Sequence, residues 1–194
     1  MKAAHFTALV VLHLSAIPAN AAIIAGPFDY SGNGHHYYLL APTGWVNSEN
    51  EAVSLGGHLV AINDLSENQW VLDTFGPLVD ALIPAPRDSV PALWTGLSDA
   101  AVEGTYMWAN GDPVLFTHWD TGQPNNSGGD QDYVTMRSGR VRNPASDHPG
   151  FWNDYNDFNS AIGSEFGVVE IVPEPSCFVL AGIGLAFLAI RRRS

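Results

Sequence analysis

The side chains best suited to catalysis are few in this 194-residue chain, and they are badly placed. Its one cysteine, Cys177, lies in an apolar tail. His35 and His36 are neighbours, and neighbouring residues on a strand point to opposite faces, so the pair cannot close on one ion. His118 precedes Trp119-Asp120 in a stretch of loop composition and reads as packing rather than as a base. Gly96-Leu97-Ser98-Asp99-Ala100 lacks the last glycine of a nucleophile elbow. The chain has no His-Glu-x-x-His, no P-loop and no dinucleotide glycine fingerprint. Asp154 with Asp157 is no argument for glycosidase chemistry among 20 acids, and Asn125-Asn126-Ser127 matches a glycosylation sequon by accident. These residues predict a protein that is not an enzyme.

Charge points to binding instead. Between residues 22 and 172 four arginines (Arg87, Arg137, Arg140, Arg142) face 19 carboxylates. Such a field repels nucleic acid and anionic membrane, because affinity for phosphates comes from displacing counterions with Lys and Arg. It suits soluble cations, calcium among them. With 46% apolar and 14% charged residues, the chain can build one globular domain with appendages.

The elements that must position any site alternate in period. His35 to Leu40 is a short apolar and aromatic run closed by Pro42, hence a strand. Trp45, Ser48, Ala52 and Leu55 recur at helical spacing before the stop Gly56-Gly57. His58 to Ile62 reads as a strand, and Asp64 with Glu67 forms a capping box opening a helix through Phe75. Pro77 to Pro91, with four prolines, is expected to be loop. Strands are then expected at Leu93 to Leu97, Thr105 to Ala109 before an Asn110-Gly111 turn, Tyr133 to Met136, Phe151 to Tyr155 and Phe166 to Val172. Gly, Asn, Pro and Asp crowd Thr117 to Gly129 and Ser138 to Gly150, which predicts long loops. Two helices followed by short strands indicate an α+β fold.

Both termini read as addresses. Lys2, the apolar run Phe6 to Ile17 and the small residues around Ala21 make a secretory signal peptide over 1–21. At the other end Pro173-Glu174-Pro175 precedes the mostly apolar Ser176 to Ile190 and then Arg191-Arg192-Arg193. As a helix that run would reach roughly 22 Å, short of the ~30 Å hydrocarbon core. The order of parts resembles the PEP-CTERM sorting signal of Gram-negative bacteria. The resemblance implies a transient inner-membrane stay, arginines on the cytoplasmic side, and removal of the tail by a dedicated protease; the positive-inside rule gives the same orientation. The expected division is 1–21 signal peptide, 22–172 domain and 173–194 sorting and membrane segment.

Within the domain, five segments in order resemble a C-type lectin-like domain. They are Gly56 to Ile62 behind a Trp-led helix, Leu93-Trp94-Thr95-Gly96-Leu97, the run from Trp108 through Phe116-Thr117-His118-Trp119 to Gly122-Gln123-Pro124-Asn125-Asn126, Trp152-Asn153-Asp154, and Phe166 to Glu170. The resemblance implies two helices, short antiparallel strands and a long loop region. It also implies a calcium held around a cis-proline, through which a sugar docks by two vicinal hydroxyls. Carried over by position, Gln123 and Asn125 flank Pro124, Gln131 stands where the family has a glutamate, and Asn153 with Asp154 closes the site. Asp130, beside Gln131, is able to swing in as a further ligand, and Asp132 matches a position that supports neighbouring metal sites in some members.

Two departures shape the expectation. The family's cysteine positions hold residues such as Val53, Tyr133 and Val169, so the fold must be disulfide-free, with six tryptophans the obvious substitutes and most of them core. Gln123 and Gln131 are neutral where mannose-type sites carry acids, so calcium is expected to bind weakly, because its affinity follows ligand charge. The resulting expectation is an exported cell-surface module that binds exopolysaccharide or another glycan, with Ca2+ as its cofactor and the sorting protease as a partner. The alternative is a calcium-independent protein-binding or extracellular-matrix structural module on the same fold.

Overall fold

The computed structural model describes residues 23–83, 91–138, 148–157 and 165–173. The expected signal peptide and the tail, with Cys177, lie outside them. Ten elements follow in order: β1 (Ile23–Asp29), β2 (His36–Pro42), α1 (Trp45–Ser54), β3 (His58–Leu59), α2 (Leu65–Leu82), β4 (Ala92–Ser98), β5 (Met107–Trp108), β6 (Tyr133–Arg137), β7 (Trp152–Tyr155) and β8 (Glu165–Ile171). The sheet runs β1-β2-β8-β4-β6-β7, with β3 added to β8 and β5 to β4. Every pairing is antiparallel except β4 with β8. The chain thus has the α+β fold expected of it, two helices with a mostly antiparallel sheet.

Local chemistry explains most boundaries. Asp64 Oδ1 accepts the Glu67 amide at 2.9 Å and caps α2, satisfying a donor that the first turn leaves free. Glu67 Oε2 reaches back one residue further than a capping box requires and takes the Asn63 amide at 2.8 Å. Helix α1 crosses β8 at Gly167, where a Cβ would stand 3.0 Å from Ser48 Cβ and 3.1 Å from Leu59 Cδ2. Only glycine fits there without a shift of the helix. β4 is buried at every position but its last, as a strand covered on both faces should be.

One expectation needs correction. Helix α2 does not stop before Pro77 but runs through it to Leu82. A proline removes one N–H, yet Phe75 and Val79 on either side of it are fully buried, and the ladder resumes with the Ile83 amide donating to Val79 O at 3.0 Å. Tertiary burial outweighs the local cost of about 3 kcal/mol. Residues 84–90 of the expected loop, with Pro84 and Pro86, fall outside the described residues. From sequence no strand is expected before His35; β1 pairs with β2 there, and its register slips between Ile23 and Ala25 and again across Gly26-Pro27.

The core is aromatic and aliphatic, and the single cysteine allows no internal disulfide. Trp94, Trp152 and Trp108 are buried, and Trp45, Trp70 and Trp119 are half-buried. Tyr133 stacks on Trp45 with ring centroids 4.7 Å apart, and Val169 is buried between β2 and β3, whereas Val53 is 52% exposed and replaces nothing. Because the sole thiol lies beyond the domain, thermal melts with and without reductant are expected to superimpose. A fall in melting temperature on adding reductant would contradict that account. Among the described residues no helix is long and apolar enough to cross a membrane.

Candidate functional site

The loop between β5 and β6 is anchored to β7 before it reaches Pro124. The Asp120 amide donates to Trp152 O, and the Gln123 amide donates to Asp120 O at 3.0 Å. Asp120 itself is pinned by three partners: His148 Nδ1 at 2.7 Å, the Thr121 amide at 2.7 Å and Arg137 at 3.5 Å. Burial pushes its carboxyl up, but His148, the Thr121 amide and Arg137 outweigh burial and hold it below the usual carboxylate range. His118 packs as expected, its ring stacked 4.3 Å from that of Phe151. His35 and His36 take separate partners, Glu170 and Asp29.

Beyond Asp120 the Gln123–Pro124 peptide is cis, and the chain turns through Asn126 at φ +42°, a left-handed conformation that asparagine tolerates. The turn closes on β7. Asp154 is fully buried, and its Oδ2 accepts the amides of Asn125 at 2.9 Å and Asn126 at 2.6 Å. Gln131 Oε1 and Asn125 Oδ1 meet on one donor, the Ser127 amide, at 2.5 and 3.0 Å. Asn126 Oδ1 in turn accepts the Gln131 amide at 3.1 Å.

The sequence-assigned residues are therefore placed unequally. Gln123, Asn125, Gln131 and Asp154 gather around the Pro124 turn. Asn153 occupies the opposite face of β7 and folds its amide back onto Asp154 O at 2.8 Å. Asp130 is exposed, with Oδ1 over Gly128 on the outer rim.

The sequence reading missed a second acidic contribution. A cavity of about 290 Å³ is lined by Asp99, Glu103, Gly104 and Tyr106 from the β4–β5 connection, together with Pro124, Asn125, Asn126 and Asp154. Asp99 Oδ2 accepts the Gly104 amide at 2.9 Å, which leaves Oδ1 facing inward, and the Asp99 amide donates to Asp132 O at 3.1 Å. The available signal was Asp99 and Glu103 four residues apart in the turn after a buried strand. Tyr106 stands in the same wall; burial first, then the charges of Asp99 and Asp154, push its phenol far above the ordinary range.

Among the described residues several buried side-chain oxygens have no donor, and three of them, Gln123 Oε1, Asp99 Oδ1 and Asp154 Oδ1, belong to the Pro124 turn and the segments beside it. Leaving a buried acceptor unpaired costs on the order of 1–3 kcal/mol, so the arrangement favours a ligand that brings positive charge or hydroxyl protons. Hard oxygens from amides and carboxylates are also what calcium takes. Among the described residues no three His, Cys, Asp or Glu side chains converge as a metal cluster, so amide oxygens would have to complete any such set.

Comparison with known proteins identifies the family of the fold. The Lectin C-type domain model matches residues 42–161, and a PEP-CTERM protein-sorting motif matches residues 172–193. The low affinity immunoglobulin epsilon Fc receptor of Mus musculus is 29% identical over 119 residues, 61% of this chain but only 29% of that receptor. The structure of the C-type lectin CEL-I from Cucumaria echinata superposes with a TM-score of 0.59 at 24% identity, covering 77% of this chain and 98% of that one. A calcium-independent type II antifreeze protein shares the fold at TM-score 0.54 and 21% identity, covering 78% and 96%. The matched family is one of binding domains, not of enzymes, and the chain belongs to the C-type lectin domain family.

Proposed function

We propose that residues 22–172 form an exported cell-surface module that binds extracellular polysaccharide at the Pro124 turn, with calcium held weakly by Gln123, Asn125, Gln131 and Asp154, and with Asn153 and Asp130 joining only if their side chains turn toward the ion. The observation that carries this reading is the set of three donorless buried oxygens on Gln123, Asp99 and Asp154. When bound, calcium would offer a docking point for two vicinal sugar hydroxyls. The chain's own part is to hold the turn against β7 through Asp154 and to present the amides of Gln123, Asn125 and Gln131, each able to donate and accept toward a hydroxyl. On this reading the PEP-CTERM segment keeps the protein briefly in the inner membrane, until a sorting protease releases the domain to the surface or matrix.

One observation favours the alternative, a calcium-independent protein-binding or matrix module. Asp154 Oδ2 already takes two backbone amides, so the turn is tied down without an ion. A glycan array probed with the protein, with calcium and then with chelator, separates the two. The polysaccharide reading expects chelator to remove binding. It also expects Gln131→Glu to tighten calcium about tenfold in calorimetric titration, because a carboxylate then stands at the neutral position. No heat from the parent and none from Gln131→Glu would hand the lead to the calcium-independent module.

A further inference from the structure

The outer face of α2 carries a pocket that shares no residue with the Pro124 turn. Leu65, Ser66, Gln69, Trp70 and Asp73 fall at i, i+1, i+4, i+5 and i+8, hence on one side of the helix, and Tyr30 of the β1–β2 connection completes the lining. The pocket measures about 590 Å³, within the range of about 300–1,000 Å³ usual for small-ligand sites. Trp70 is half-buried and gripped by the core: its ring centroid lies 4.8 Å from that of Tyr37 and 6.1 Å from that of Phe75, both edge to face. The Tyr30 ring lies 4.9 Å away, tilted by 33°. Leu65 is 57% exposed beside them. A helix face turned to solvent normally carries polar residues, so an indole, a phenol ring and a leucine gathered there need a reason.

The rim is polar and partly preset. Gln69 Nε2 donates to Asp73 Oδ1 at 2.9 Å, which fixes the amide and leaves Gln69 Oε1, its second N–H and Asp73 Oδ2 open to a ligand. The Trp70 indole N–H and the hydroxyls of Tyr30 and Ser66 have no hydrogen-bond partner among the described residues. Charge here is one-sided: α2 carries Glu67, Asp73 and Asp80 with no Lys, Arg or His, and Asp64 caps its start. Such a surface repels an acidic sugar and attracts a cation, which the faces of the two rings also favour. A fitting ligand therefore combines an apolar C–H face, a positive charge, and hydroxyls that both give and take hydrogen bonds. An amino sugar has all three. A lysine side chain brings the charge but only donors, and would leave the indole N–H and the Gln69 N–H unmatched.

We propose that this pocket is a second glycan subsite, and that it takes an amino-sugar residue with a free ammonium group. The C–H face of the sugar rests on Trp70 and Tyr30, the ammonium meets Asp73 Oδ2, and neighbouring hydroxyls exchange hydrogen bonds with Gln69 and Ser66. The subsite rests on the glycan-binding reading only for the class of its ligand; it needs neither calcium nor any part of the Pro124 turn. Two separate subsites on one domain let it hold a polysaccharide at two points, the second contact gaining from the effective concentration set by the first. Packing alone accounts for the contacts of Trp70 with Tyr37 and Phe75, but not for the open amide–carboxylate pair beside it.

The test is calorimetric titration of the full-length protein in detergent with chelator present, at a mildly acidic pH where the amine holds its proton. The probes are the tetramers of glucosamine, N-acetylglucosamine and galacturonic acid, with tetralysine as the peptide control. The glucosamine tetramer is expected to bind, the N-acetylated tetramer about tenfold more weakly because acetylation removes the charge, and the galacturonate tetramer not at all. Asp73→Asn, at an exposed position, should weaken the glucosamine tetramer about tenfold. The indole N–H resonance of Trp70, assigned by its absence in Trp70→Phe, should shift as that tetramer is added. No heat from the glucosamine tetramer, an unchanged affinity in Asp73→Asn, or an unmoved Trp70 resonance would each overturn the proposal. Equal binding of tetralysine would overturn it too, since the pocket would then read charge alone. Loss of the signal in Asp154→Asn would place the sugar at the Pro124 turn, and the second subsite would fall. The calcium reading is judged by binding that chelator removes, so a failure here leaves it standing.

Discussion

Trp152→Ala is expected to lower the unfolding free energy by about 4–5 kcal/mol, the largest effect of any single substitution near the site. Trp152 is fully buried and meets the rings of Trp108, Phe116 and Trp119 edge to face at 5.7–6.0 Å. Its Nε1–H donates to Asn68 Oδ1 of α2 at 2.8 Å, so truncation leaves a cavity and an unpaired buried oxygen together. Trp152→Phe keeps a ring in place and loses only the donor, and should cost about 1–2 kcal/mol. The residue also fixes function, because its strand carries Asn153 and Asp154 and its backbone receives the Asp120 amide. Equilibrium denaturation checks both numbers. A loss under 2 kcal/mol for the alanine variant would show that β7 is pinned by something other than this ring cluster.

Asp154→Ala should cost about 2 kcal/mol and, on the proposed calcium-dependent reading, remove any calcium binding. Its two charge-assisted bonds to the Asn125 and Asn126 amides together contribute about 3 kcal/mol, and relief of the donorless Oδ1 offsets on the order of 1 kcal/mol of that. Asp154→Asn, which keeps the shape and drops the charge, should weaken calcium more than Gln123→Ala does, since Asp154 is the one carboxylate among the residues that gather at the turn. Calorimetric titration at millimolar calcium with denaturant series on each variant reads both effects. If Asp154→Asn titrates like the parent, this carboxylate is not the seat of any cation.

Asp154 illustrates how far sequence reaches. Its place in Trp-Asn-Asp, and that of Gln123 and Asn125 around Pro124, were legible because motif spacing survives in the chain. The opening of α2 at Asp64 was legible because capping is a contact between residues three apart. Likewise the two helices, the middle strands and the disulfide-free core follow from periodicity and from a single cysteine.

What the sequence could not decide are contacts that form only between distant segments. Helix α2 passes Pro77 because the burial of Phe75 and Val79 outweighs a local rule. β1 survives Gly26-Pro27 because β2 supplies its partner. Asp99 and Glu103 join Asp154 in one cavity only when the β4–β5 connection folds over the Pro124 turn. Glu67 looks like half of a capping box until β8 brings Glu170 to the same phenol. Local hydrogen bonds and periodicity are encoded at short range and can be read from residue types. Burial and the pairing of charges depend on which surfaces meet, and only the tertiary structure fixes that.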